Sequence, residues 1–178
     1  MKLDKRLQEF DKRRNALLDE MEALEPGKLL ARQLPEKWSI LEIVEHLVLA
    51  ERVVFQGLIE PSKLKIREPR LKDHIRYLIV MFVLRTGIPV GVVSPAMLPE
   101  GGRNLAELRR LWNENQAWLR AYVNSLGPQG IHRPALKHPV AGPISVRQAV
   151  IMSRVHLDRH IGQIRTLQRL LGKQQVET

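Results

Sequence analysis

The sequence predicts an all-α protein, a four-helix bundle with one additional helix in the long connection between bundle helices two and three. Three observations carry that prediction. Apolar residues recur at helical spacing in four long segments. Three of those segments open on a Ser or Asn followed three residues later by Glu or Gln. No stretch sustains period-two alternation, and the valine-rich pieces around 88–93 are broken by Pro89 and Gly91.

The first helix spans about 3–24, with Leu3, Leu7, Phe10, Leu17, Leu18, Met21 and Leu24 on one face, and Pro26-Gly27 stops it. The second begins at Ser39, boxed with Glu42, and runs to about Leu58. Its apolar residues cover most of the circumference, which predicts a central helix packed on several sides. The additional helix covers about 71–85. Asn104 with Glu107 opens the third bundle helix, which carries Leu105, Leu108, Leu111, Trp112, Leu119, Tyr122 and Val123 as far as Gly127-Pro128. Ser145 with Gln148 opens the fourth, which continues to about Leu171 before Gly172. The long crossover between helices two and three permits an order other than up-down-up-down. With no repeat or linker, residues 1–178 read as a single domain.

Composition narrows the chemistry. The chain has 178 residues and no cysteine, so disulfides, thiolate zinc sites and a thiol nucleophile of its own are excluded, and a reducing cytoplasm fits. Any metal must be held by nitrogen or oxygen ligands. The N-terminus runs directly into a charged amphipathic segment without a secretory apolar stretch, and the longest apolar run, 77–84, is too short to span a membrane. There are 29 Lys+Arg against 19 Asp+Glu, a formal charge of +10. That excess raises the question of nucleic acid. It is regional, with 10 basic and 12 acidic residues in 1–60 and 19 and 7 in 61–178. Arg147, Arg154 and Arg165 form a stripe on the fourth helix without aromatic interleaving, which predicts a solvated face and not a nucleic-acid surface.

The histidines carry more information. His156 and His160 lie about 40° apart on the fourth helix, opposite the arginine stripe, and share their face with Ala149, Met152, Ser153, Gln163 and Leu167. A pair one turn apart can place two imidazole nitrogens on one ion, or it can be two part-buried histidines bonded to neighbours. A third ligand would have to come from another helix. His46 is the candidate, on the edge shared with Ile43, Ala50, Val53 and Gly57. His74, His132 and His138 read as solvated or capping side chains. Glu51 projects into an apolar arc and needs a partner, for which an arginine from a neighbouring helix is expected, with a general-base role as the alternative. Trp38, Trp112 and Trp118 read as core or cap residues.

Three stretches together resemble one family. They are 34–47, a Trp38-Ser39 start to the second helix followed by His46; His138-Pro139 through Gly142-Pro143-Ile144-Ser145; and 156–164, holding His156, His160 and Gln163. In this order, over nearly the whole chain, they resemble the DinB-like (YfiT-like) metalloenzymes. The resemblance implies a bundle in up-down-down-up order with one divalent metal held by His46, His156 and His160. All three residues are present. Gln163, on the same inner face, fits either a supporting place behind the ligands or an ordinary helix–helix hydrogen bond.

Three imidazoles leave coordination positions open, as at a catalytic ion, and zinc or nickel is expected among the metals imidazole suits. Relatives include transferases and an isomerase that use a low-molecular-weight thiol, and others described only as metal-dependent hydrolases. The leading expectation is therefore a metal-dependent enzyme, a transferase using a small thiol cosubstrate, with hydrolysis as the alternative. The substrate is a small molecule, which the basic half would favour if anionic. A non-enzymatic basic protein binding nucleic acid or a protein partner is the remaining alternative. The apolar 77–93 segment is a candidate homodimer face, and no membrane association is expected.

Overall fold

The computed structural model describes residues 3–58, 66–89, 91–92 and 94–174. Helices α1 (Leu3–Glu22), α3 (Ile40–Gln56), α5 (Leu105–Ser125) and α6 (Val146–Gln174) are the long segments expected from the sequence, and α4 (Leu71–Thr86) is the additional helix. Their starts are set locally. Ser39 Oγ accepts from Glu42 N, whose carboxylate accepts in turn from Ser39 N. Ser145 and Gln148 exchange the same pair of bonds. At α5 only half of the box forms, Asn104 Oδ1 accepting from Glu107 N.

A short helix and two paired strands add to the expected set, and the strands correct the purely helical expectation. Pro26–Leu30 forms one further short helix, α2, because Pro26 ends α1 yet suits a first helical turn. Strands β1 (Pro134–His138) and β2 (Gly142–Ser145) pair antiparallel, with Leu136 opposite Ile144 and His138 opposite Gly142. These strands are too short, and too interrupted by Pro134, Gly142 and Pro143, to show alternation. Their position is fixed from outside. Gly142 has φ +76°, and a Cβ there would lie 2.8 Å from Asp73 Oδ1. The Asp73 carboxylate accepts from Arg67 at 2.6 and 2.9 Å and from Arg70 N at 2.8 Å, which holds its pKa well below the usual carboxylate range. At the other end, Gly172 does not stop α6, which continues to Gln174.

The core lies among the four long helices. Phe10, Leu18 and Met21 of α1, Ile43 and Leu47 of α3, Leu108 and Trp112 of α5, and Leu157 of α6 are fully buried there. As its all-round apolar pattern implies, α3 is central, packing on α5 and α6. Helix α4 rests on α6 and β2. Its outer face exposes Leu71, Ile75, Leu78, Ile79 and Phe82. Of the 77–93 segment proposed to pair, Val90 and Val93 lie outside the described residues.

The arginine stripe of α6 departs from the solvated face expected of it. Arg154 lies 3.7 Å from Glu9, and Arg13 reaches Asp158 at 2.7 Å, so acids and bases of α1 cover part of it. Among the described residues no helix is long and apolar enough to cross a membrane.

Candidate metal centre

His46 on α3 and His156 and His160 on α6 meet where the two helices pack. His156 Nε2 is 3.0 Å from His160 Nε2 and 3.4 Å from His46 Nε2, and one ligand atom from each ring falls within 4.8 Å of the others. The hydrogen bonds behind the rings assign their protons. His46 Nδ1 is 2.7 Å from Met97 O, and a carbonyl only accepts, so Nδ1 carries the proton and Nε2 presents a lone pair. His160 Nδ1 donates in the same way to Gln163 Oε1 at 2.8 Å, with the amide assigned to suit. Gln163 is thus hydrogen-bonded behind His160, one turn along the same helix.

Burial and mutual repulsion drive protons from this cluster. Burial lowers all three pKa values: His160 falls to about 4, with His46 reinforcing the effect, and His156 falls well below the ordinary 6.5, with His160, His46 and Arg159 adding to burial. The rings are neutral near pH 7. Two bare Nε2 lone pairs facing a third nitrogen at 3.0–3.4 Å repel unless a proton or cation stands between them. The donor set thus fits a divalent ion that takes nitrogen ligands.

The support behind His46 has no motif in the sequence. Buried Glu45, its neighbour on α3, accepts from Gly101 N at 3.0 Å and pairs with Arg103. These bonds pin the segment between α4 and α5 against α3 and so deliver the Met97 carbonyl to His46. An exposed-looking Glu and a distant Arg gave no signal, and a backbone carbonyl gives none at all. Trp38 packs beside His46, ring centroids 5.0 Å apart, serving the site as well as the helix start.

The triad forms part of the wall of a cavity of about 1130 Å³ between α3, α4, α6 and the hairpin. Val53, Val83, Leu136, Met152 and Leu167 contribute apolar wall, and Lys37, Lys137, Ser153, Arg159 and Gln163 contribute polar groups. Arg159 donates to Val83 O at 3.0 Å and Ile88 O at 2.8 Å, tying the end of α4 and its following loop to α6.

The remaining singled-out residues separate clearly. His74 and His132 are exposed. His138 caps its own turn, Nδ1 accepting from Val140 N at 3.2 Å and Ala141 N at 3.0 Å, but it also lines the cavity. Glu51 is buried, and its direct partner is Gln116 Nε2 at 2.6 Å, not the expected arginine. Burial pushes its pKa up to about 8 against the opposing pull of Trp112, Gln116 and Arg14. Trp112 is in the core, whereas Trp118 is 40% exposed within α5 and stacks on Tyr122, so it is neither the core nor the cap residue expected.

No curated protein and no solved structure matches this chain. The family profile of the DinB superfamily matches residues 9–164, a span that includes His46, His156 and His160. The chain therefore belongs to the DinB superfamily.

Proposed function

We propose that this protein is a metal-dependent enzyme in which His46, His156 and His160 hold one divalent ion, zinc or nickel, beside a cavity that receives a small molecule. The observation that carries the reading is the convergence of three neutral imidazole nitrogens on the wall of that cavity. An ion held there supplies Lewis acidity, lowering the pKa of a bound water or thiol toward neutrality. The chain's own groups do the rest. Met97 O and Gln163 Oε1 fix the ring tautomers, α3 and α6 fix the spacing, and the apolar wall excludes water from the bound molecule.

Transfer to or from a low-molecular-weight thiol is the preferred reaction. The cavity, about 1130 Å³, is of the size that receives small molecules, and in a cysteine-free chain thiol chemistry needs an external thiol. Lys37 and Lys137 in its lining favour anionic groups on a bound molecule. Metal-dependent hydrolysis is the second reading, favoured by exposed Glu36, Lys37 and Lys137, which keep that side of the cavity open to water. An up-down-down-up order of the four long helices is part of the same reading, and the long α3-to-α5 crossover supports it. A cytoplasmic setting accords with the absence of cysteine.

The test is elemental analysis after metal-free purification and reloading with zinc or nickel. Wild type should take up about one ion per chain and His156→Ala far less. Turnover of an electrophilic substrate panel should then depend on both ion and added thiol. A wild type that binds no ion at any loading overturns the proposal, and ion-dependent turnover without thiol selects hydrolysis.

A further inference from the structure

The hairpin brings to the cavity a group that the triad does not use. His138 sits at the end of β1, where Nδ1 accepts two backbone N–H groups, from Val140 at 3.2 Å and Ala141 at 3.0 Å. A nitrogen that accepts twice carries no proton, so the neutral ring is held as the Nε2–H tautomer. Burial favours the neutral ring. The opposite edge, Nε2, has no hydrogen-bond partner among the described residues, and the side chain belongs to the lining of the same cavity as His46, His156 and His160.

The mounting is firm. Gly142, across the hairpin from His138, is packed against the Asp73 carboxylate with no room for a Cβ, and Asp73 is itself held by Arg67 and Arg70 N. Leu136, two residues before His138, packs so tightly at Gly57, the C-cap of α3, that a Cβ on that glycine would lie 2.7 Å from Leu136 Cδ1. The hairpin is therefore braced at both α3 and α4. Ser153, buried on the α6 face that carries the triad, lines the cavity with a hydroxyl that also has no partner among the described residues.

We propose that His138 is a substrate-anchoring donor whose Nε2–H binds a carboxylate or comparable oxyanion of a molecule with an apolar body, while the reacting end of that molecule lies at the triad. The inference rests on the functional reading above and adds the substrate class. Nε2–H can donate and cannot accept, so it selects an acceptor atom, and the neighbouring Lys137 in the lining favours a negative one. Val53, Val83, Leu136 and Met152 select the apolar body. His138 is a binding residue and does not join the ligand set.

Octanoate serves as the probe, with octylamine as its cationic counterpart. Histidine-¹⁵N spectra of the full chain should show His138 as the Nε2–H tautomer, with that proton shifting on addition of octanoate and not of octylamine. In His138→Asn the amide oxygen can still accept from Val140 and Ala141, but the Nε2–H is gone. Octanoate affinity should fall about tenfold or more, with zinc stoichiometry unchanged. Comparison of circular dichroism melting for Asn and Ala variants separates loss of the donor from loss of the turn. An Nδ1–H tautomer, an unmoved Nε2–H at saturating octanoate, no octanoate binding at millimolar concentration, or equal octanoate affinity in wild type and His138→Asn each overturns the inference. Failure of zinc to bind wild type would overturn the metal reading instead, and the octanoate comparison on metal-free protein would still decide the role of His138.

Discussion

Replacing Glu51 by Gln should stabilise the protein at neutral and alkaline pH, and the gain should vanish in acid. Glu51 is 3% exposed, and burial outweighs the Trp112 N–H, the Gln116 amide and the Arg14 charge, raising its pKa from the ordinary 4.5 to about 8. The sign follows from proton linkage. Below pH 4.5 both folded and unfolded chains carry the proton, and burial of a neutral carboxyl costs no charge. Between pH 4.5 and about 8 the unfolded chain releases its proton and the folded chain keeps it, so stability falls as pH rises. The slope is about 1.4 kcal/mol per pH unit, and the interval from 4.5 to about 8 gives an upper limit of about 5 kcal/mol. The substituted amide is neutral throughout and keeps an oxygen for the Gln116 side chain, leaving a pH-independent offset of about 1 kcal/mol. Urea unfolding of wild type and Glu51→Gln at pH 5, 6, 7 and 8, both with chelator, isolates the term because every other titrating group cancels. The difference should grow by about 1 kcal/mol or more with each step, reaching about 3–4 kcal/mol at pH 8. A difference independent of pH, or a wild type that outlasts the variant at pH 8, would show that Glu51 is ionised in the folded chain and paired with Arg14, and would refute the reasoning.

Arg103→Ala leaves buried Glu45 without its cation and frees the segment that carries Met97 O; it should cost about 3 kcal/mol in urea unfolding and weaken zinc binding by about tenfold or more in competition with a chromogenic chelator. Gly142→Ala forces a Cβ toward Asp73 at a φ of +76°, and a loss of about 2 kcal/mol is expected by thermal melting. Gly27→Ala, with open space around it and no positive φ, should be neutral or stabilising by up to about 1 kcal/mol and serves as the control. If the exposed α4 stripe pairs two copies, Phe82→Glu should convert a dimer to a monomer in light scattering; an unchanged mass refutes that use of the stripe.

What was legible in the sequence is what neighbours along the chain decide. Ser39 with Glu42, and Ser145 with Gln148, lie within one helical turn, so their boxes are written in adjacent letters and form as read. His156 and His160 share a face for the same reason, and only the choice of His46 needed a contact between helices. Hidden from the sequence were the groups whose role is set by distant contacts. The hairpin exists because Gly142 fits against Asp73, and neither strand is long enough to announce itself. Met97 acts through its carbonyl, which every residue possesses. His138 reads as a solvated or capping side chain from its Pro/Gly-rich setting and does cap a turn, yet its second edge becomes informative only when the hairpin is laid against α6. The resemblance implies three histidines on one ion, and the structure brings those histidines together; the resemblance says nothing of these supports.

The charge imbalance is resolved in the same inter-helical contacts. The basic excess lies in residues 61–178, while α1 belongs to the acidic part of the chain, and packing brings the two together. Arg109 of α5 reaches Asp19 and Glu22 at 2.7 Å each, Arg120 pairs with Asp11, and Arg154 of α6 approaches Glu9. Arg13 returns the pairing to Asp158. These pairs are part-exposed, so each contributes at most about 1 kcal/mol and salt weakens it. Arginines engaged in this way are poor candidates for a nucleic-acid surface, because phosphates would have to displace Asp11, Asp19 and Glu22. The cations left without acidic partners among the described residues include Lys37 and Lys137, and both line the cavity beside the histidines. A chain that looks basic enough to bind nucleic acid thus directs Arg109, Arg120 and Arg154 to its own first helix and leaves positive charge at the candidate site.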